Sequence, residues 1–206
     1  SENQGGSIGN NVIQDIKEDN IGNVWISTIG GITRFEKPSG KFYRYFYNQA
    51  TKRSIAEKEY ELAIATNGAV FCYSKTYGLS RFDLQSNQFQ SIASPVSGAQ
   101  VIKIRPGKAG LIWFLKGNGT LLACRATAKG LLPYRVIKAN VPINNFFPVN
   151  DLLLFTDIDN TLWTVDAGLK PKKQDNIGAV KSVTYYQSHY IIARDGQGIG
   201  VFDENF

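Results

Sequence analysis

Methionine is absent from the 206 residues, histidine occurs once and cysteine only twice. With no Met at position 1 and no signal peptide ahead of Ser1, the sequence is expected to be a processed or excised segment of something longer. Cys72 and Cys124 each lie inside an apolar, strand-like run, where a free thiol behaves as a small buried hydrophobe, so no disulfide framework is indicated. The single histidine, His189, stands between Ser188 and Tyr190 at an expected hairpin turn. It has no cysteine or carboxylate at metal-ligand spacing, so it reads as a surface residue and no metal site is expected. No apolar run approaches the roughly 18 residues that a membrane span needs. The sequence also lacks a Gly-x-Ser-x-Gly elbow, a phosphate-binding glycine loop and a Cys-His dyad in recognisable context, so neither catalytic residues nor a cofactor are expected.

What is present points to strands. Hydrophobic residues make up 43% and aromatic residues 12% of the chain, enough to bury a sizeable core, and there are 20 glycines. The apolar segments are short and rich in Val, Ile, Thr, Tyr and Phe, which favours an all-β fold with tight turns. The net charge of +6 is spread along the chain, and only Lys170-Pro171-Lys172-Lys173 is clustered. No nucleic-acid module accompanies it, so the basic residues read as a solvated surface and no nucleic-acid partner is expected.

The organisation is a repeat. Residues 21 to 35 contain Gly22-Asn23-Val24-Trp25 and then Gly31-Ile32-Thr33-Arg34-Phe35; residues 67 to 82 contain Gly68-Ala69-Val70-Phe71 and then Gly78-Leu79-Ser80-Arg81-Phe82. A third copy starts at Gly110-Leu111-Ile112-Trp113 and continues through Gly119-Thr120-Leu121-Leu122. Fainter ones follow at Asp151 to Leu154 with Asn160 to Trp163, and at Tyr190 to Ile192 with Gly198 to Phe202. A period of roughly 40 residues is that of a four-stranded β-propeller blade. In the first copy the four strands are expected at Val12 to Glu18, Val24 to Ile29, Gly31 to Glu36 and Lys41 to Tyr47, with turn chemistry in Asp19 to Asn23 and Pro38-Ser39-Gly40.

Five blades are therefore expected, at about 11–48, 59–94, 100–140, 143–176 and 179–206 within one propeller segment, residues 1–206, with a polar linker from Gln49 to Lys58. The fifth unit stops at Phe206 after three strands, and Ser1 to Gly9 is too rich in glycine to supply a fourth. An incomplete arc of a larger propeller is the expected arrangement, because missing blades would bury the apolar faces that an arc leaves open.

The stretch from Asn11 to Phe35, with Glu18-Asp19, Gly22, Trp25, Thr28, Gly31-Ile32 and Arg34-Phe35 and the following Gly40-Lys41-Phe42-Tyr43-Arg44-Tyr45, resembles the two-component regulator propeller repeat. The second unit lacks Glu-Asp before Gly68, and the third has Pro106-Gly107-Lys108-Ala109 there. The resemblance implies the periplasmic sensor region of a bacterial hybrid two-component system sensor kinase, with a membrane segment leading to the kinase. It further implies a signal such as an oligosaccharide from polysaccharide breakdown.

Trp25, Phe71 and Trp113 occupy equivalent places and read as wedges between blades, and Arg34 and Arg81 as links between strands. Leu153 to Leu162 looks like the first motif of haloacid-dehalogenase-type phosphatases, with Asp157 and Asp159 as nucleophile and acid. Within the repeat the same letters are strand, turn, strand, and only 44 residues follow where such an enzyme needs a parallel sheet with helices. Unrepeated residues that precede loops, namely Tyr43, Arg44, Tyr45, Tyr47 and Asn48, and Tyr185, Tyr186 and Gln187, are where recognition is expected to reside, but no ligand-binding residue is assigned. The expected function is ligand sensing without catalysis. The expected partners are a small-molecule or oligosaccharide ligand, missing blades and downstream domains of the same protein, and a second copy in a homodimer. The alternative is a scaffold that mediates association or dimerisation of the sensor; a sugar-cleaving propeller would need clustered acids or histidines at one mouth.

Overall fold

A computed structural model describes residues 4–48, 53–54, 60–75, 77–95, 100–127, 130–165, 168–203 and 206. Its regular structure is antiparallel β, in five successive propeller blades. Blade 1 contains β1 (Gln4–Gly5), β2 (Ile13–Glu18), β3 (Val24–Thr28), β4 (Gly31–Glu36) and β5 (Lys41–Tyr45), and a separate two-stranded ribbon pairs β6 (Tyr47–Asn48) with β7 (Arg53–Ser54). Blade 2 is β8 (Glu61–Ile64), β9 (Val70–Ser74), β10 (Gly78–Asp83) and β11 (Gln88–Ser91). Blade 3 is β12 (Val101–Pro106), β13 (Leu111–Lys116), β14 (Thr120–Thr127) and β15 (Gly130–Lys138), with a 3-10 turn at Lys108–Gly110. Blade 4 is β16 (Ile143–Val149), β17 (Leu152–Asp157), β18 (Leu162–Val165) and β19 (Pro171–Gln174), and blade 5 is β20 (Val180–Tyr186), β21 (His189–Arg194) and β22 (Gly198–Phe202). Apart from Arg53–Ser54, the expected linker lies outside the described residues.

Two details depart from the sequence reading. Gln4–Gly5 does form a strand, paired with Tyr43 and Phe42 on the outer edge of β5. Such an edge offers free N–H and C=O groups, and pairing with them requires backbone rather than side chains. The first strand of blades 1, 3, 4 and 5 also carries a register shift at the same place, between Ile13 and Asp15, Val101 and Lys103, Ile143 and Asn145, and Val180 and Ser182. Each of these bulges begins at Ile or Val and no residue is common to all four, since a bulge re-aims a strand through its backbone.

The contacts divide the chain into two compact units, residues 1–97 with 125–132, and residues 98–124 with 133–206. In the first, Trp25, Ile32 and Tyr45 of blade 1 pack on Leu62, Val70, Cys72 and Phe82 of blade 2. In the second, Trp113, Leu115 and Leu121 of blade 3 pack on Phe146, Leu153 and Phe155, while Leu154 and Leu162 of blade 4 pack on Val180, Tyr190 and Ile192 of blade 5. The core of each unit thus lies between consecutive sheets. Trp25, Phe71 and Trp113 are all buried, as wedges must be. Cys72 and Cys124 are buried and not in a disulfide, and burial pushes the Cys124 thiol up to about 12, which leaves it protonated and inert.

One five-residue turn recurs four times. In Asp19–Asn23 the Asp19 N–H donates to Asn23 O (3.0 Å) and the Gly22 N–H to Asp19 O (3.1 Å), with Gly22 at φ +86°. Ala65–Ala69 repeats both bonds at 2.9 and 2.8 Å, and Asp157–Thr161 at 3.2 and 3.0 Å, with Asn160 in the left-handed position. Gly107–Leu111 keeps the first bond at 2.8 Å and places Gly110 at φ +71°.

The first residue of each turn is matched to the aromatic six positions later. Asp19 Oδ1 accepts from the Ile21 and Asn23 N–H groups, and Oδ2 from the Asn23 side-chain amide and from Trp25 Nε1 at 2.8 Å. Asp157 Oδ1 accepts from Asp159 and Thr161, and Oδ2 from Trp163 Nε1 at 2.9 Å. Phe71 has no N–H to satisfy, and there the residue is Ala65. Trp113 leans so closely over Gly107 that a Cβ would meet its Nε1 at 2.7 Å, which leaves no room for a carboxylate.

Arg34 is buried as well, its guanidinium 4.5 Å from the Tyr43 ring centre and 5.3 Å from that of Phe82, and its Nε has no hydrogen-bond partner. The rings supply electrostatic compensation where a carboxylate does not.

Burial opposes ionisation of Asp19, but the donors from Trp25, Asn23 and Ile21 outweigh it and hold the carboxyl below its usual range. Replacing it by Asn would turn a second N–H toward the indole donor. Asp19→Asn is expected to lose about 1–3 kcal/mol near neutral pH in urea unfolding. Because the folded-state pKa is the lower one, this advantage of the native carboxylate is complete above about pH 4 and declines as the pH falls through the folded value. A variant gap that is constant with pH would contradict this. Gly31 sits at φ +117° with Tyr45 O 2.4 Å from where a Cβ would be. Gly31→Ala is therefore expected to cost more than about 2 kcal/mol in the same assay.

Candidate functional site

In the first unit the turns of blades 1 and 2 stand side by side. The Asn20 side-chain amide crosses from one to the other and donates to Thr66 O at 2.9 Å. Gly68 lies beneath it, and a Cβ there would stand 3.5 Å from Asn20 Nδ2. The two turns and the far ends of β10 and β11 enclose a cavity of about 620 Å³. Trp25, Val70 and Phe82 form its apolar floor, and Asn20, Asn67, Arg81, Asp83 and Gln90 supply polar groups around it. Ile21 and Leu84, about 70% exposed, stand at its rim.

The polar groups are held in place. Arg81 donates through Nη1 to Thr127 O at 3.2 Å. The Ser86 hydroxyl and N–H both donate to Asp83, which keeps that carboxyl below its ordinary range, and Gln90 donates to the same hydroxyl. Trp25, Val70 and Phe82 are themselves buried, so the exposed apolar surface here is that of Ile21 and Leu84, and together with the fixed amides, guanidinium and carboxylate it can hold a ligand that presents both apolar faces and hydrogen-bonding edges.

The residues singled out in the sequence are dispersed. Tyr45 is buried and donates to Asn87 Oδ1 at 3.0 Å, Arg44 holds Ser7 and Ile8, and Tyr43 lies under Arg34. Tyr185 packs on Tyr190, Tyr186 is exposed, and His189 is exposed with Nδ1 donating to Gln187 O. The side chains of Tyr47 and Asn48 lie outside the described residues. Both oxygens of Asp157 are committed to its turn and to Trp163, so the phosphatase-like string is a hairpin. Among the described residues no group of three His, Cys, Asp or Glu side chains is placed to hold a metal, and no helix is long and apolar enough to cross a membrane.

Of the cavity residues, Trp25, Gly68, Ala69, Val70, Arg81 and Phe82 stand in the repeat, and Asp19, Asn20 and Ile21 in the turn of the first copy, where they read as structural. Asp83 and Gln90 gave no signal, because each is an ordinary strand-end or edge-strand residue. The available signal was the repeated turn itself, since equivalent turns of adjacent blades must be neighbours.

No family model matches the chain, and no curated protein matches its sequence. Solved structures do. An extracellular domain from B. thetaiotaomicron, described as that of a hybrid two component system, matches at 17% identity and a TM-score of 0.62, with 94% of this chain and 30% of that one covered. Virginiamycin B lyase from Staphylococcus aureus matches at 15% identity and 0.64, covering 92% and 65%. The dihydro-heme d1 dehydrogenase NirN matches at 12% and 0.70, covering 94% and 45%. The chain spans less than two thirds of each of these structures. The shared feature is the propeller fold, and it corrects the expectation that the chain is free of catalytic activity, because a lyase and a dehydrogenase are built on the same fold as the sensor domains.

Proposed function

We propose that this chain is a ligand-sensing propeller module from the periplasmic part of a two-component sensor, responding to an oligosaccharide released from a polysaccharide. The observation that carries the reading is the cavity above the buried Trp25, Val70 and Phe82, where exposed Ile21 and Leu84 and a polar rim suit the faces and hydroxyl edges of a sugar. The Asn11 to Phe35 repeat and the fold shared with extracellular sensor domains support the same assignment. In the whole protein a membrane segment and a histidine kinase would carry the signal inward, and binding would act by favouring one sensor geometry over another.

One observation favours a second role, as a scaffold that pairs two copies. Among the described residues blade 5 has three strands and no strand pairs with the outer edge of β22, which exposes Ile199 at 72% and Val201 at 65%. An unpaired edge of this kind is a template for a strand from a second copy.

A panel of oligosaccharides tested by thermal unfolding is expected to contain one class that raises the midpoint. At about a hundred times its dissociation constant the gain is roughly 2.7 kcal/mol, or about 5–10 °C for a chain of this length. Gln90→Ala and Leu84→Glu, both at exposed positions, are expected to reduce that shift without lowering the unliganded midpoint. A flat response across the panel would sink the oligosaccharide reading. For the scaffold role, sedimentation velocity is expected to give a dimer that Ile199→Lys with Val201→Lys converts to monomer; a native chain that is monomeric at high micromolar concentration rules it out.

A further inference from the structure

The second unit has a cavity built on the same plan. It is about 440 Å³ and lies between the Gly107–Leu111 turn of blade 3 and the Pro148–Leu153 hairpin of blade 4, with Trp113 in the place that Trp25 holds in the first. Its chemistry is different. The walls are Leu111, Trp113, Ile137, Leu153, Val165 and Leu169, and of the uncharged polar and acidic side chains that also line it, Tyr134, Asn150 and Asp151, the last two are engaged by Lys108.

The mouth is cationic. Lys108 and Arg135 both border it. Lys108 Nζ is engaged by Asn150 and by Asp151 Oδ2 at 3.0 Å, so its charge is already balanced. Arg135 lies over the exposed ring of Tyr134, 5.0 Å from its centre, and reaches the Tyr134 hydroxyl at 3.5 Å. No carboxylate among the described residues pairs with it. The flat guanidinium is therefore pre-aligned by the ring beneath it, with donors available for a planar anion.

We infer that this cavity binds a small organic acid, one whose apolar body fills the Leu111, Trp113 and Leu153 pocket while its carboxylate meets Arg135. Area and charge both argue for such an amphiphile. A sugar would leave its hydroxyls unmatched against the Leu and Val walls, and a neutral hydrocarbon would leave the guanidinium unused. The site is independent of the oligosaccharide reading, which concerns the first unit, and it gives the two units ligands of different polarity.

The test uses 1-naphthoate and its neutral counterpart 1-naphthamide as probes on the 206-residue chain. Calorimetric titration is expected to show naphthoate binding at least about fivefold tighter than the amide, as one charge-assisted contact at a half-open mouth provides. Arg135→Gln, at an exposed position, is expected to weaken naphthoate about three- to tenfold, to leave naphthamide unchanged and to keep the melting midpoint. Amide chemical shifts are expected to move at Lys108–Leu111 and Asn150–Leu153. Absence of binding, equal affinity for acid and amide, an Arg135→Gln variant that binds like the native chain, or shifts confined to Asn67–Val70 would each overturn the inference.

Discussion

An indole buried between two sheets brings one N–H with it, and that donor must find an acceptor or the burial is undone. Trp25 meets this constraint with Asp19, and the half-buried Trp163 with Asp157, each carboxylate reaching six residues forward from the first position of a tight turn. The same oxygens collect the backbone N–H groups of the turn, so one side chain fixes both the hairpin and the wedge. Where the aromatic is Phe71, which has no ring N–H, the carboxylate is replaced by Ala65, and where Trp113 leans over the turn the position is Gly107.

This device is local to a hairpin rather than to a place in the blade. In blade 1 it joins β2, the strand that carries the bulge, to β3, whereas in blade 4 it joins β17 to β18, one hairpin further along from the bulged β16. The Asp-x-Asp letters at Asp157 and Asp159 therefore imitate a phosphatase motif for a structural reason: Asp157 caps the turn, and the N–H of Asp159 is one of the donors it accepts. The rigid turns also explain the cavities. Such a turn set beside a second turn or hairpin, with a large aromatic beneath, leaves a concavity whose polarity depends on the few residues that the repeat does not dictate.

The functional reading rests on those few residues. In the first unit amides, Arg81 and Asp83 surround an aromatic floor; in the second, aliphatic walls lead to a single uncompensated guanidinium. Propellers with the same fold serve as sensor domains and as enzymes, and the difference lies in side chains of this kind rather than in the sheets.

The sequence by itself determined the all-β class, the repeat of roughly 40 residues, the strands of the first blade, and the burial of Trp25, Phe71 and Trp113. All of these follow from alternation, turn chemistry and spacing along one segment of chain. Only the tertiary structure decided that Arg34 lies among rings without a carboxylate, that Gln4–Gly5 adds to β5, and that a bulge recurs in four first strands. It alone brought Asn20 to Thr66 and Arg135 to the mouth of a cavity. Those outcomes depend on which segments become neighbours across a sheet or between blades, and a contact between residues some 46 positions apart leaves no mark in either segment alone.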